Sequence, residues 1–428
     1  MDQLPEELLL RILSFLPTMK DVVATMVLSK QWKSLWMFVP ELVYDDSYQS
    51  IDYERFSRFV DRSLFLHEAP VIETLYFKLG QTCGAEDIRV WIRAAEKFSV
   101  RELHIKFVSP SDASPTILPR SLYTRCRMLV TLILVEAVLV DDVNCPISFP
   151  SLKLLHLVYL TYPGGDEFVN KLLSSCPVLE KLVVMQFPGD NVTIFTIRVP
   201  SLKHLRMLKP LQHYSDNAHG FVIDVPSLET LEIVDYTDGF CVIENEMPNI
   251  VRASIDCNQT HRGRIILSSI IMSVKCLFLC LPTSEVFSCM QDAYHVGSIF
   301  HHLVELTLCT CDEQWLNLLL RLLGDSPKLR SLRLIQVHNP CWIKPSPCWI
   351  KPSSVPKCLL SSFETLECRD YEGKEEEKEL LGYILRNGSC LKKVTVSSTS
   401  TDSEKKLEMI KEELLSIRRS PTCQLVFN

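Results

Sequence analysis

"PSLKLLHL" (residues 150–157) sets Leu152, Leu155 and Leu157 at places one, four and six of a short phrase. The phrase returns as "PVLEKLVV" (177–184), "PSLKHLRM" (200–207), "PSLETLEI" (226–233) and "PKLRSLRL" (327–334). Looser copies are "PVIETLYF" (70–77), "VRELHI" (100–105), "LVTLIL" (129–134), "PNIVRASI" (248–255), "VKCLFL" (274–279), "LVELTL" (303–308), "FETLEC" (363–368) and "LKKVTV" (391–396). In each copy the second and third apolar places are separated by one variable residue. That is the period of a β-strand with one face turned to a core. A Pro two residues ahead is harmless, because its missing N–H falls before the strand ladder.

The thirteen phrases run from 72 to 391, about 27 residues apart, within the spacing of leucine-rich repeats. One unit cannot bury its inner face alone, so neighbours must stack into a curved solenoid. Thirteen strands at ~4.8 Å make a concave sheet roughly 60 Å along its arc. Such a surface suits a macromolecule, with room in part of it for a small ligand. Its outward places include His156, Lys181, His204, Arg206, Glu232, Arg252, Asp256, Glu305 and Arg333, the candidate target-binding residues. Between strands, "DEFVNKLLSS" (166–175) and "DEQWLNLLLRLLG" (312–324) read as helices, and shorter connections as extended crossovers. The longest step, from 329 to 363, holds "PCWIKPS" written twice in tandem (340–353), read as a duplicated surface loop.

Ahead of the repeats stands "LPEELLLRILSFLP" (4–17). Residues 5–16 are expected as a helix, with Pro5 at its first position and Glu6 and Glu7 at the positive end of its dipole. Leu9, Leu13 and Leu16 form one apolar stripe, and Leu8, Ile12 and Phe15 a second, about 100° away. One can face a local core, and the other then needs a cover. Pro17 ends the helix, Thr18 and Asp21 have the form of a capping box, and a second helix carries Val22, Val23, Met26 and Val27. Ser29 can cap a third helix with Trp32 and Trp36 on one face. Three such helices bury too little to stand alone, so a partner is expected.

"LPEELLLRILSFLPTMKDVVATMVLSKQWKSLW" (4–36) resembles the F-box of plant F-box proteins. The resemblance implies docking on the Skp-type adaptor of a cullin-RING ubiquitin ligase. The adaptor-facing residues it implies are Leu4, Pro5, Leu8, Ile12, Leu16, Val23, Leu28, Ser29, Trp32 and Trp36, some of which serve the module's own core. "PELVYDD" (40–46) already reads as a repeat strand, so almost no linker separates the modules, and a stiff joint would fix where the concave face points.

At the other end, "PSSVPKCLLSSFETLECRDYEGKEEEKELLGYILRNGSCLKKVTV" (352–396) reads as strand, turn at Gly373, helix, stop at Asn387-Gly388, and strand. "SEKKLEMIKEELLSIRR" (403–419) and "CQLVF" (423–427) add another helix and strand in a right-handed crossover. The segment is similar to the FBD domain of many plant F-box proteins, whose members usually carry Trp where this chain has Cys368. That implies looser packing there. By itself the segment reads as a cap on the last edge of the solenoid.

The totals limit the rest. Hydrophobic residues are 47% and charged residues 23% of 428, a folded chain, and a net charge of −7 gives no general attraction to nucleic acid or anionic membrane. No signal sequence or membrane span is expected. The 17 scattered cysteines read as reduced thiols of a cytoplasmic or nuclear protein, against three glycosylation sequons at Asn191, Asn258 and Asn387. No phosphate-binding glycine loop, nucleophile elbow or metalloprotease motif occurs. His301-His302 with Cys309-x-Cys311 hints at zinc, but these cysteines belong to a repeat strand or its end, so no metal and no cofactor are expected.

The expected fold is therefore α/β: an F-box over 2–40, a curved leucine-rich-repeat solenoid over 41–354, and an FBD-type cap over 355–428. The expected role is non-catalytic, the substrate-recognition subunit of an SCF-type ligase reaching cullin through its adaptor. The alternatives are an F-box scaffold outside any ligase, or a small-molecule sensor using the concave surface.

Overall fold

The structure is a computed structural model that describes residues 4–427 except 47–52, 81–82, 109–116, 140–143, 145, 187–190, 210–218, 238, 258–265, 267–268, 271, 282–299, 313, 338–351, 353 and 398–422. The chain forms two compact units, divided between Val225 and Pro226.

The first unit starts with three short helices, α1 (Glu6–Leu13), α2 (Met19–Ala24) and α3 (Trp32–Leu35). The first stops three residues earlier than expected. Phe15 and Leu16 donate to carbonyls three residues back, Ile12 and Leu13, so the last turn tightens before Pro17. Thr18 caps α2 by accepting from the Asp21 N–H at 3.3 Å, but the Asp21 carboxylate accepts from the Thr18 hydroxyl rather than from its backbone, so only half of the box forms.

After a 3-10 turn at Trp36–Phe38 the chain enters β1 (Glu41–Asp45). Met37 O accepts from the N–H groups of Glu68 and Ala69, and Pro40 O from those of Glu73 and Thr74, which ties the helical module to the first repeat. The ladder continues through β2 (Thr74–Leu79), β3 (Glu102–Phe107), β4 (Thr131–Val135), β5 (Leu154–Val158), β6 (Lys181–Met185) and β8 (His204–Lys209), all parallel. The pairing is in phase, Leu103 with Leu132 and Leu155 with Leu182, so the buried leucines form continuous rows.

In the second unit the parallel order is β10 (Thr230–Asp235), β12 (Arg252–Cys257), β13 (Cys276–Cys280), β14 (Glu305–Cys309), β15 (Ser331–Ile335), β16 (Thr365–Cys368), β17 (Lys393–Val396) and β18 (Gln424–Phe427). Every one of the thirteen phrases carries a strand, and each strand begins two residues after the first apolar place. That place lies in a turn instead. Leu152, Leu179, Leu202, Ile250 and Leu329 each donate to the carbonyl three residues back, which puts Pro150, Pro177, Pro200, Pro248 and Pro327 second in the turn. The fixed φ of Pro suits that place, so the recurring Pro shapes the turn and does more than stay clear of the ladder.

Behind the strands the connections differ. Helices α4 (Tyr53–Leu66), α5 (Ala85–Lys97), α6 (Ser121–Arg125) and α7 (Gly165–Ser174) serve early repeats. Trp91 of α5 stacks on Phe77 with ring centres 5.2 Å apart, meets the edge of Phe56, and donates its indole N–H to Asp61 at 2.9 Å. Later connections of the first unit hold β7 (Ile194–Arg198) and β9 (Gly220–Asp224), a second parallel pair where only extended crossovers were expected. Phe195, Ile197, Phe221 and Ile223 are buried, an alternation too short to read as a repeat in its own right. In the second unit β11 (Phe240–Ile243) and the helix Trp315–Asp325 fill connections.

His67, at the end of α4, is buried against Phe98, and neither ring nitrogen has a hydrogen-bond partner among the described residues. Burial, with Lys97 nearby, holds its imidazole down at about 4. The unfolded chain therefore takes up this proton first as pH falls, and stability is lost from about pH 6.5 down to the folded value, by at most ~1.4 kcal/mol per pH unit. Denaturant melts across that window should show the slope, and His67→Leu should remove one proton's share. An unchanged slope would mean His67 is not held neutral.

The C-terminal region follows the expected order. Gly373 takes a φ of +74°, the left-handed region that favours glycine, ahead of the helix Glu375–Asn387. The Glu377 carboxylate accepts from the backbone N–H of Lys374 and Glu372, which closes the helix start. Gly388 ends the helix for a different reason: a Cβ there would meet Ile384 O at 2.9 Å. Cys368 borders a gap of about 20 Å³, room for about one water, lined by Trp315, Glu377 and Leu380. The helix expected at 403–419 lies outside the described residues, as does nearly all of the tandem repeat at 340–353. Among the described residues no helix is long and apolar enough to cross a membrane.

Two sequons carry structural work. Asn191 accepts from the Tyr162 N–H and donates to the Tyr162 carbonyl, and Asn387 donates to Tyr383 O at 2.8 Å. Asn258 lies outside the described residues.

Candidate functional site

The two stripes of α1 separate cleanly. Leu9 and Leu13 are fully buried, and Leu16 is half-buried. Leu8, Ile12 and Phe15 are 47%, 44% and 78% exposed, so this stripe stays largely open to solvent. Leu4, Pro5 and Leu28 are exposed as well, while Val23 and Ser29 are half-buried. Gln31 reaches back to donate to Leu4 O at 3.3 Å, which brings the turn after Leu28 to the start of α1.

Trp32 and Trp36 require correction as surface residues. They are only 4% and 6% exposed, because α1 packs on α3 and on the 3-10 turn that follows it. Two indoles are the largest side chains that so small a module buries, and facing them outward would leave Leu9 and Leu13 without a floor. Phe15 and Val27, both widely exposed, were not among the expected docking residues. The signal for Phe15 was present, since it continues the Leu8–Ile12 stripe by three residues.

The nine candidate recognition residues all occupy odd places of their strands, on the face turned away from the leucine rows. In the first unit Lys181 pairs in register with His204, and Val183 with Arg206, so Lys181, His204 and Arg206 form an exposed basic group at neighbouring places. His156 lies one strand before it, half-buried. Burial first, then Lys181, His104 and Arg206, holds His156 down at about 4, so it adds no charge there at neutral pH.

In the second unit Arg252 and Glu305 are exposed and Glu232 is half-buried. Arg333 is exposed but pairs with Glu367 at 2.7 Å, whose other oxygen takes Arg369 at 2.6 Å. Asp256 is the second correction. It is 6% exposed and accepts from the Tyr236 hydroxyl at 2.8 Å, because its strand end lies under neighbouring side chains.

Three residues that sequence reading did not join also meet on this face. The sulfur atoms of Cys280, Cys309 and Cys311 all lie within 4.8 Å of one another. The hint was positional: Cys280 and Cys309 hold the fifth place of consecutive strands. Elsewhere, a cleft of about 770 Å³ opens where Pro17, Thr18 and Asp21 of the helical module face Tyr44, Arg55 and Phe59.

An exposed apolar ridge on a short helical module, joined to a ladder of parallel repeat strands with polar outer places, defines a repeat protein with an N-terminal helical module. The F-box domain model matches residues 1–43, the model described as "FBD-associated F-box protein At5g56370, LRR repeats" matches 88–253, and the FBD model matches 351–396. The chain belongs to the FBD-associated F-box proteins with leucine-rich repeats: it is 59% identical to the Arabidopsis thaliana "Probable FBD-associated F-box protein At1g32375", over all of this chain and 99% of that one. It is 58% identical to the "Putative FBD-associated F-box protein At5g50270" over 95% of this chain and 98% of that one, and 44% identical to the "F-box/FBD/LRR-repeat protein At5g56420" over all of this chain and 98% of that one, both from the same plant.

Proposed function

We propose that this chain is the substrate-recognition subunit of an SCF-type cullin-RING ubiquitin ligase, with no active site of its own. The observation that carries the reading is the exposed ridge of Leu8, Ile12 and Phe15 within a matched F-box. Leu4, Pro5 and Leu28 flank it, with Leu16, Val23 and Ser29 at its half-buried margin. A Skp-type adaptor covers this ridge and links the chain to cullin. The outer strand face holds the target, which raises the effective concentration of a target lysine near the loaded conjugating enzyme. The protein works in the cytoplasm or nucleus, where thiols stay reduced.

Reconstitution tests this reading. The full chain mixed with adaptor and cullin should elute as one ternary complex. Adaptor binding without cullin would favour a scaffold outside the ligase.

The basic group is the best-defined part of the recognition face. Lys181→Glu with Arg206→Glu should change stability by no more than about 0.5 kcal/mol per site, as exposed substitutions do. The same variant should lose the proteins that proximity labelling finds beside the parent chain under proteasome inhibition. Retention of all of them would remove this group from target recognition.

A further inference from the structure

The outer face of the second unit carries one feature that target recognition by charge does not use. Cys280 closes β13 and Cys309 closes β14, on adjacent parallel strands whose preceding residues, Leu279 and Leu308, are in register. Beyond Cys309 the strand geometry persists: the Thr310 N–H donates to Ile335 O at 2.9 Å, as a further ladder bond would. Residues two apart on an extended chain face the same side, so Cys311 returns beside Cys309. Their sulfurs are 2.8 Å apart, and the Cys280 sulfur completes a triangle with no side above 4.8 Å. Among the described residues no other three metal-ligating side chains converge in this way.

We propose that Cys280, Cys309 and Cys311 form a three-thiolate site for a thiophilic divalent cation of the Zn²⁺ type. Zinc–sulfur bonds of ~2.3 Å at tetrahedral angles hold sulfurs roughly 3.8 Å apart. The Cys309–Cys311 side is shorter than that spacing and no side exceeds 4.8 Å, so seating the ion needs side-chain rotations that part these two sulfurs by about 1 Å. Each S–H gives up its proton as an S–Zn bond forms, three protons for three bonds, with no change of oxidation state. Three thiolates and one Zn²⁺ leave a net charge of −1, whereas a monovalent ion would leave −2 in a site where Cys280 and Cys309 are almost fully buried. Cys311 is only half-buried, so water has access to the fourth position. Asp256 is the registered neighbour of Cys280 on β12, and its carboxylate, steadied by the Tyr236 hydroxyl, adds negative charge beside the ion. His301 and His302 take no part: they lie in the turn ahead of β14, at the opposite end of the strand from Cys309.

The test uses the full chain with its thiols reduced, titrated with Cd²⁺ as a spectroscopic probe. One equivalent should produce sulfur-to-metal charge-transfer absorption, and added Zn²⁺ should compete it away. Cys309→Ser and Cys311→Ser should each weaken Cd²⁺ binding at least ~10-fold, since losing a ligand costs no less than losing a supporting group. Cys390→Ser, an exposed thiol outside the triangle, should leave it unchanged. Cys311 lies past the strand end, so its serine variant should keep the parent's circular dichroism and melting point. The wild-type titration can refute the site even if the variants misfold. No charge transfer at stoichiometric metal, equal loss in Cys390→Ser, or a disulfide at Cys309 that survives reduction, seen as a protein lighter by two hydrogens, would each overturn the proposal.

Discussion

Replacing Leu8 and Ile12 together with Asp should abolish capture of a Skp-type adaptor while the repeats stay folded. Both side chains lie on the exposed stripe of α1, each about half open to solvent, so the unbound protein loses only partial contacts when they change. In the complex each would give up the burial of its open half, roughly 0.7–1.5 kcal/mol. Two of them amount to a rise in Kd of at least about tenfold, before the larger cost of pressing two carboxylates into an apolar groove. Leu9→Asp makes the matching control. Leu9 is fully buried, so that change should unfold the module as well as end binding. The double variant should therefore keep the parent's circular dichroism and melting profile, and the Leu9 variant should not. Adaptor affinity within a few-fold of the parent for soluble Leu8→Asp, Ile12→Asp protein would show that this ridge is not the docking face.

The largest loss of stability should come from Trp91→Ala. The indole is almost fully buried, stacks on Phe77 of β2, meets Phe56 of α4, and donates to Asp61. It therefore fastens two helices to the strands that adjoin the helical module. Truncating a buried Trp costs about 3–5 kcal/mol, which lowers the melting point of a unit of this size by about 10 °C. Trp91→Phe keeps a ring against Phe77 and gives up the N–H donor and the second ring. Asp61 is exposed and can turn to water, so this variant should lose less than half as much. Equal losses for Ala and Phe would assign the effect to what both variants lack, the N–H and the second ring, and remove the stacking from the account.

Much of the fold could be read before any coordinates. Each strand phrase contains its own alternation, and alternation depends only on neighbours one and two residues away. All thirteen strands therefore fell where the leucines placed them, displaced by two residues because Pro and the first apolar residue together form a turn. Strand β1 was equally legible from "PELVYDD", and so was the helix before Asn387-Gly388. The connections were not. Strands β7 and β9 are marginal as local patterns, and they exist because two consecutive repeats bring Phe195 beside Phe221 and Ile197 beside Ile223.

The candidate surfaces divide along the same line. By itself the sequence determined that α1 has two apolar stripes, that the outer strand places are polar, and that the chain has the F-box, repeat and FBD order of its relatives. Only the tertiary structure decided which stripe stays bare, that Trp32 and Trp36 belong to the core, that Asp256 is buried under Tyr236, and that Cys280 meets Cys309 and Cys311. The physical reason is range. Periodicity is written into adjacent residues, whereas burial depends on which distant segment supplies the other half of a contact, and stacking the repeats settles that choice.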